Sequence, residues 1–170
     1  PFRRAARAWH DRAMLFDPLT LRGVTLRNRL GVSPMCQYSA VDGRAGDWHL
    51  VHYGGLAQGG AGLVICEATA VEARGRISPA DLGLWDDAQV EPLARVARFV
   101  EGQGAVPAVQ LAHAGRKASV RPPWQAGGAP LTAGEGGWTP VGPSALPFAE
   151  GYPVPAVLGD AEYAALPGLF

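Results

Sequence analysis

The sequence is poor in charge: only 18% of its 170 residues are Asp, Glu, Lys or Arg, and acids balance bases at 15 each. With zero formal net charge there is no basic patch to hold nucleic acid and no cationic face for an anionic membrane. Neither partner is therefore expected. Cysteine is scarce as well, with two residues in the chain. That count excludes a disulfide scaffold and sets a reducing compartment, the cytoplasm, as the expectation. No apolar run reaches the roughly 18 residues that a membrane-spanning helix needs. What is abundant is glycine (23) and proline (15), against 48% hydrophobic residues. That composition belongs to a globular domain with a real core, many turns and at least one long irregular segment.

Both ends are unusual. The chain opens PFRRAARAWHDRAMLF, with Arg3, Arg4, Arg7 and Arg12 against the single acid Asp11. The stretch is too short for a convincing transit peptide. Residues 1–13 are expected to be a basic extension outside the fold, with Met14 a plausible natural start and 14–170 the folded part. The C-terminus, AALPGLF, stops inside an apolar stretch without a cap, as if the chain were cut there.

Between the ends lie three short apolar runs: RLGVSPM (29–35), AGLVICEAT (61–69) and AVPAVQLAH (105–113). They are apolar nearly throughout rather than alternating, as strands buried on both faces of a parallel sheet are. Helical patterns separate them. Asp47 is placed to cap 48–60, a helix weakened by Gly54 and Gly55. In 89–104, Val90, Leu93, Val96, Ala97 and Val100 recur at helical spacing, and Gly102 and Gly104 end the pattern. The order β-α-β-α-β implies right-handed crossovers. Alternation in 15–29, with Gly23 as a turn, predicts a hairpin ahead of the first of these strands. Residues 114–157 carry most of the prolines and no period, which predicts a functional loop or lid. A helical pattern resumes at 160–170, with Asp160 as its cap and Pro167 as a disturbance.

Parallel α/β folds carry their sites at the carboxyl ends of the strands. The unusual polar residues fall at those ends: Ser33, Cys36 and Tyr38 after the first run, Glu67 and Thr69 around Ala68 in the second, Gln110 and His113 in the third, then Arg116 and Lys117. Such a pocket has few charges and several neutral hydrogen-bonding groups. A glutamine amide both donates and accepts, and a thiol is polarizable. This favours a flat heterocycle such as a flavin over a metal or a sugar phosphate. Competing readings stay open at this level. Cys36 and Cys66 could be small core residues or a disulfide pair, and Gln110 could satisfy a backbone group. His49 and His52, three apart on a helix, lack a third metal ligand. Lys117 could form a Schiff base as in a barrel lyase or aldolase. GEGG (134–137) follows no strand and so fails as a dinucleotide loop.

Four motifs in order, SPMCQYSA, DWHLVHYGGLAQGGAGLVICEATAV, GRISPADLGLWDD and VQLAHAGRKAS, resemble the Old Yellow Enzyme family. Within it they are most similar to the bacterial branch of YqjM-like NADPH dehydrogenases and xenobiotic reductases, over about residues 14–160. The resemblance implies an FMN-dependent (β/α)8 TIM barrel whose flavin is reduced by NADPH or NADH and then reduces the activated C=C bond of an enone. It implies that Ser33, Pro34, Met35 and Cys36 line the flavin, with Cys36 tuning its potential. Ala68 would contact the ring through its backbone, Gln110 would bond its pyrimidine side, Tyr38 would reach the substrate, and Lys117 would border the active site. It also implies a homo-oligomeric full-length protein. Such barrels need about 200 residues at least, so the expectation is a partial barrel: three strand-helix units, an N-terminal hairpin and a long loop after the third strand. The alternative is a non-catalytic truncated remnant.

Overall fold

The computed structural model describes residues 14–170; the basic extension 1–13 lies outside the described residues. The expected hairpin forms from β1 (Leu19–Leu21) and β2 (Val24–Leu26), paired antiparallel. Arg22 takes the left-handed backbone (φ 53°) beside Gly23 to close the turn. The next segments build a parallel sheet from β3 (Gly31–Val32), β4 (Leu63–Ala70), β5 (Leu82–Gly83) and β6 (Val106–Ala112). β6 pairs one edge of β4 along its whole length; β3 and then β5 share the other. Among the described residues no strand pairs the outer edge of β6, so the sheet does not close. Val109 and Leu111 are consequently more than a third exposed.

Several boundaries differ from the expected ones. The first strand, expected over 29–35, is confined to Gly31–Val32. Ser33 leads into Pro34, which has no N–H to donate to a ladder. Helix α1 (Asp47–Gln58) is capped by Gly46, not by Asp47, which sits in its first turn. Gly54 does not merely weaken α1. A Cβ there would lie 2.6 Å from the Phe99 ring, so its absence lets helix α2 (Val90–Gly102) pack closely. Val96 and Val100 of α2 bury against Tyr53, Ala57, Val64 and Cys66, the core that the spacing predicts.

The segment after His113 is more ordered than its composition implies. It consists of single-turn 3₁₀ helices and a two-residue parallel pair, β7 (Val141–Gly142) with β8 (Ala156–Val157). The last helix, α3, spans Asp160–Ala165 with Gly159 rather than Asp160 as its cap. It tightens to a 3₁₀ turn over Leu166–Leu169, which contains Pro167. β5 has no strand-like pattern in the sequence; it forms because the loop after β4 folds back onto Thr69 and Ala70. No described helix is long and apolar enough to cross a membrane.

Candidate functional site

β4 carries the feature that shapes the site. Its register against β6 runs residue for residue from Leu63↔Val106 to Cys66↔Val109, then resumes at Ala68↔Gln110. Glu67 is the extra residue of a β-bulge. The backbone N–H it turns out of the ladder donates to the Tyr53 hydroxyl at 2.9 Å, and its C=O accepts from Thr69 Oγ1 at 2.9 Å. Before the bulge Cys66 points into the helix-side core. After it, Ala68 and Ala70 line a cavity of about 270 Å³ together with Gln110, His113 and Lys117. Ala68, Gln110 and Lys117, three residues expected at the site, thus meet on one wall.

The loop after β3 supplies a second wall. Ser33 and Met35 are exposed, Pro34 half-buried; none of the three lines the 270 Å³ cavity, nor does Cys36. The Cys36 thiol sits against the Ala68 backbone and the Tyr38 hydroxyl. Burial pushes its pKa up, and the Asp81 and Glu67 carboxylates add to that. Tyr38 is pushed up to about 12, first by burial and then by Cys36 and Asp81. Near neutral pH both groups therefore keep their protons, with the Tyr38 hydroxyl donating to the Cys36 sulfur. The Tyr38 ring meets Trp124 edge-on at 5.7 Å. Its backbone is left-handed (φ 49°), a conformation that costs an aromatic residue about 1 kcal/mol or more and clusters at functional sites.

Other expected groups take different places. Lys117 Nζ lies 4.6 Å over the Phe148 ring, so its charge is engaged with the loop above the cavity. His113 donates from Nε2 to Glu72 at 2.6 Å, and its Nδ1 accepts the Gly115 N–H. Arg116 is exposed and lines no part of the cavity. His49 and His52 form no metal group: no metal-ligand cluster occurs among the described residues. His49 Nδ1 accepts the Gly46 N–H, leaving the proton on Nε2, 3.4 Å from Glu67. Cys36 and Cys66 are both free thiols. Cys66, raised to about 11 chiefly by burial, is the inert core residue.

Sequence reasoning missed Asp81. It is almost fully buried and accepts from the Ile77 N–H, the Ser78 N–H and Ser78 Oγ. Burial holds its carboxyl up at about 6. The signal was present as Ser78-x-x-Asp81, a spacing for a tight polar turn. Two other hollows differ in character. One, about 290 Å³, lies between α2 and β6 and is lined by apolar groups such as Leu84, Leu93 and Val109, with the buried Cys66 thiol at its edge. The other, about 310 Å³, is polar and lies by Arg44, Arg76 and Trp85.

A parallel α/β sheet with its polar wall at the strand carboxyl ends, and a thiol beside that wall, defines an open portion of a TIM-barrel enzyme fold. The relatives make the class specific. The profile of the NADH:flavin oxidoreductase / NADH oxidase family matches residues 14–137, and the chain belongs to that family. It is 51% identical over 144 residues to an NADH:flavin oxidoreductase of Gibberella zeae, covering 83% of this chain and 35% of that protein. It is 44% identical over 150 residues to an NADPH dehydrogenase of Bacillus cytotoxicus, covering 87% and 39%. Among solved structures it superposes on morphinone reductase in complex with tetrahydroNAD with TM-score 0.75 and 28% identity, over 93% of this chain and 44% of that one. An old yellow enzyme homologue from Zymomonas mobilis gives TM-score 0.73 and 27% identity, over 91% and 42%. The chain thus spans about two fifths of the length of these relatives.

Proposed function

We propose that this chain contributes one wall of the FMN site of an NAD(P)H-dependent ene-reductase of the Old Yellow type. The observation that carries the reading is the post-bulge register. It sets Ala68 directly beside Gln110 on one cavity wall, with the Cys36 thiol against Ala68. The donor set suits a flat, neutral heterocycle: one amide that donates and accepts, backbone groups, and small alanine side chains that leave room for a ring. A flavin bound there would accept reducing equivalents from NADPH or NADH and pass them to an activated C=C bond.

The residues of this chain have distinct parts in that reading. Ser33, Pro34 and Met35 present a loop to one side of the ring, and Cys36 sets the polarity at its edge. Ala68 offers its backbone, and Gln110 orients the ring through its amide. Tyr38, protonated throughout the physiological range, faces the substrate side as a hydrogen-bond donor. Lys117, with Phe148 stacked on it, borders the entrance. The lyase reading is weaker, because the lysine it needs is engaged over Phe148 in a cation–π contact.

The test is spectroscopic. The protein carrying this chain is expected to purify yellow, to bleach with NADPH and to regain colour on adding an enone. Folded protein without flavin would reject the proposal. The 170-residue chain by itself is expected to bind little FMN, because among the described residues the sheet does not close around the cavity. Stoichiometric FMN on that chain would favour a self-sufficient site instead.

A further inference from the structure

Glu67 is fully buried, in a strand that otherwise carries apolar and small residues. A buried acid is costly unless its oxygens are hydrogen-bonded, so its partners reveal what holds it there. Oε1 accepts from the Tyr53 hydroxyl of α1 at 3.1 Å, and Oε2 accepts from the Gln37 backbone N–H at 2.8 Å. His49 Nε2 stands 3.4 Å from Oε1 without making a hydrogen bond. No lysine or arginine is among these partners. One bond ties Glu67 into the helix-sheet core; the other leaves the core for the residue between Cys36 and Tyr38.

That second bond is unusual in its position. Among the described residues, Gln37 is the one residue from Met35 to Ser39 whose backbone N–H is bonded to protein. The next anchor along the chain is the Ala40 N–H, which donates to Ala80 C=O at 3.0 Å. Tyr38, with its left-handed backbone, lies between these two fixed points. The Gln37 side chain reinforces the first point, donating to Met35 C=O and accepting from Trp48 Nε1. The bulge that frees Glu67 also places Ala68 against the Cys36 thiol.

We infer that Glu67 is a positioning residue, which latches the 35–38 loop to β4 through the Gln37 N–H and so holds the Cys36 thiol and the Tyr38 phenol at Ala68. The consequence for flavin chemistry rests on the function proposed above; the latch itself does not. In Glu67→Gln, one carboxylate oxygen becomes an NH2. Turned toward Gln37, it sets donor against donor; turned toward Tyr53, it leaves the phenol proton unpartnered. Loss of the charge also removes one of the groups that keep Cys36 protonated.

The test needs no flavin, so it is separable from the colour assay. Iodoacetamide labelling of Cys36 is followed by peptide mass spectrometry as a function of pH, in the protein carrying this chain without added FMN. Cys66, buried in the core, serves as the internal control for general opening. In Glu67→Gln, Cys36 labelling at a fixed, mildly alkaline pH is expected to rise about fivefold, with its pH profile moved to lower pH, as follows for a thiol that becomes freer and more acidic. Cys66 labelling should stay at the wild-type rate. Tyr53→Phe, which keeps the ring but removes the hydroxyl that donates to Oε1 and accepts the Glu67 N–H, leaves the Gln37 bond in place and should give a smaller rise, about twofold, by loosening the same carboxylate; it decides the question if Glu67→Gln does not fold. Unchanged Cys36 profiles, or Cys36 and Cys66 rising in parallel, would show that Glu67 is a core residue only and overturn the latch.

Discussion

Replacing Arg27 with alanine should destabilise the fold well beyond the usual effect of a surface change. Arg27 follows β2, and its guanidinium reaches three backbone carbonyls. Nε and one terminal nitrogen donate to Ala61 at 3.1 and 2.8 Å, and that same nitrogen donates to Ala57 at 2.6 Å. The other donates to Gln103 at 2.8 Å. Ala57 lies in the last turn of α1, and Gln103 is the C-cap of α2. One side chain therefore serves the negative ends of both helices. The Gln103 bond is exposed, and water replaces it at little cost. The bonds to Ala57 and Ala61 are part-buried, each contributing about 1 kcal/mol net. Charge at two helix C-termini adds about 0.5 kcal/mol. The sum is about 2–3 kcal/mol. Urea unfolding of the protein carrying this chain should show it as a midpoint lowered by about 1–2 M at unchanged slope. Arg27→Lys keeps the charge but not the fork, and should recover less than half. A loss under about 0.5 kcal/mol for the alanine variant, the range of ordinary surface substitutions, would refute this account.

Three further outcomes are expected. Asp81 ionises near 6 in the fold, against about 4 in an unfolded chain. The folded state thus holds the extra proton between those values, and stability should fall by about 2–3 kcal/mol as pH rises from 4 to 6. Urea titrations should show that slope in wild type and not in Asp81→Asn; a flat wild-type curve would contradict it. A Cβ on Gly83 would come within 2.0 Å of the Trp85 ring, which stacks on Arg76 at 5.2 Å. Gly83→Ala should therefore displace Trp85, red-shift tryptophan emission and cost about 2 kcal/mol; unchanged emission would mean that the ring accommodates the methyl. Cys36→Ala should shift the flavin reduction potential more than it lowers flavin affinity, and an unchanged potential would reduce Cys36 to packing.

How much of this was legible beforehand varies from element to element. The two long parallel strands were read because burial on both faces leaves uninterrupted apolar runs, and that signature is local. α2 was read because Val96 and Val100 fall on one face at helical spacing. The short β3 was overextended, since the apolar run continues past the point where Pro34 ends the pairing. β5 was missed because Leu82-Gly83 becomes a strand only by lying against Thr69. Among the expected site residues, Ala68, Gln110 and Lys117 line one cavity, because the polar ends of β4 and β6 and the turn after β6 come together there. Glu67 was noticed at a strand end but given no role, and Asp81 was passed over inside a loop.

The sequence by itself determined the alternation of strands and helices, the family, and the gathering of polar side chains at one end of the sheet. Those properties follow from hydrophobic periodicity and from residue types at strand ends, which each segment carries alone. Only the tertiary structure decided that β4 bulges at Glu67, that a buried carboxylate grips the Gln37 N–H, and that Arg27 closes two helix ends at once. Each of these depends on partners some 30 to 76 positions away in the chain. A lone acid in an apolar strand, or an arginine after a hairpin, does not name the donor or carbonyl that folding brings to it.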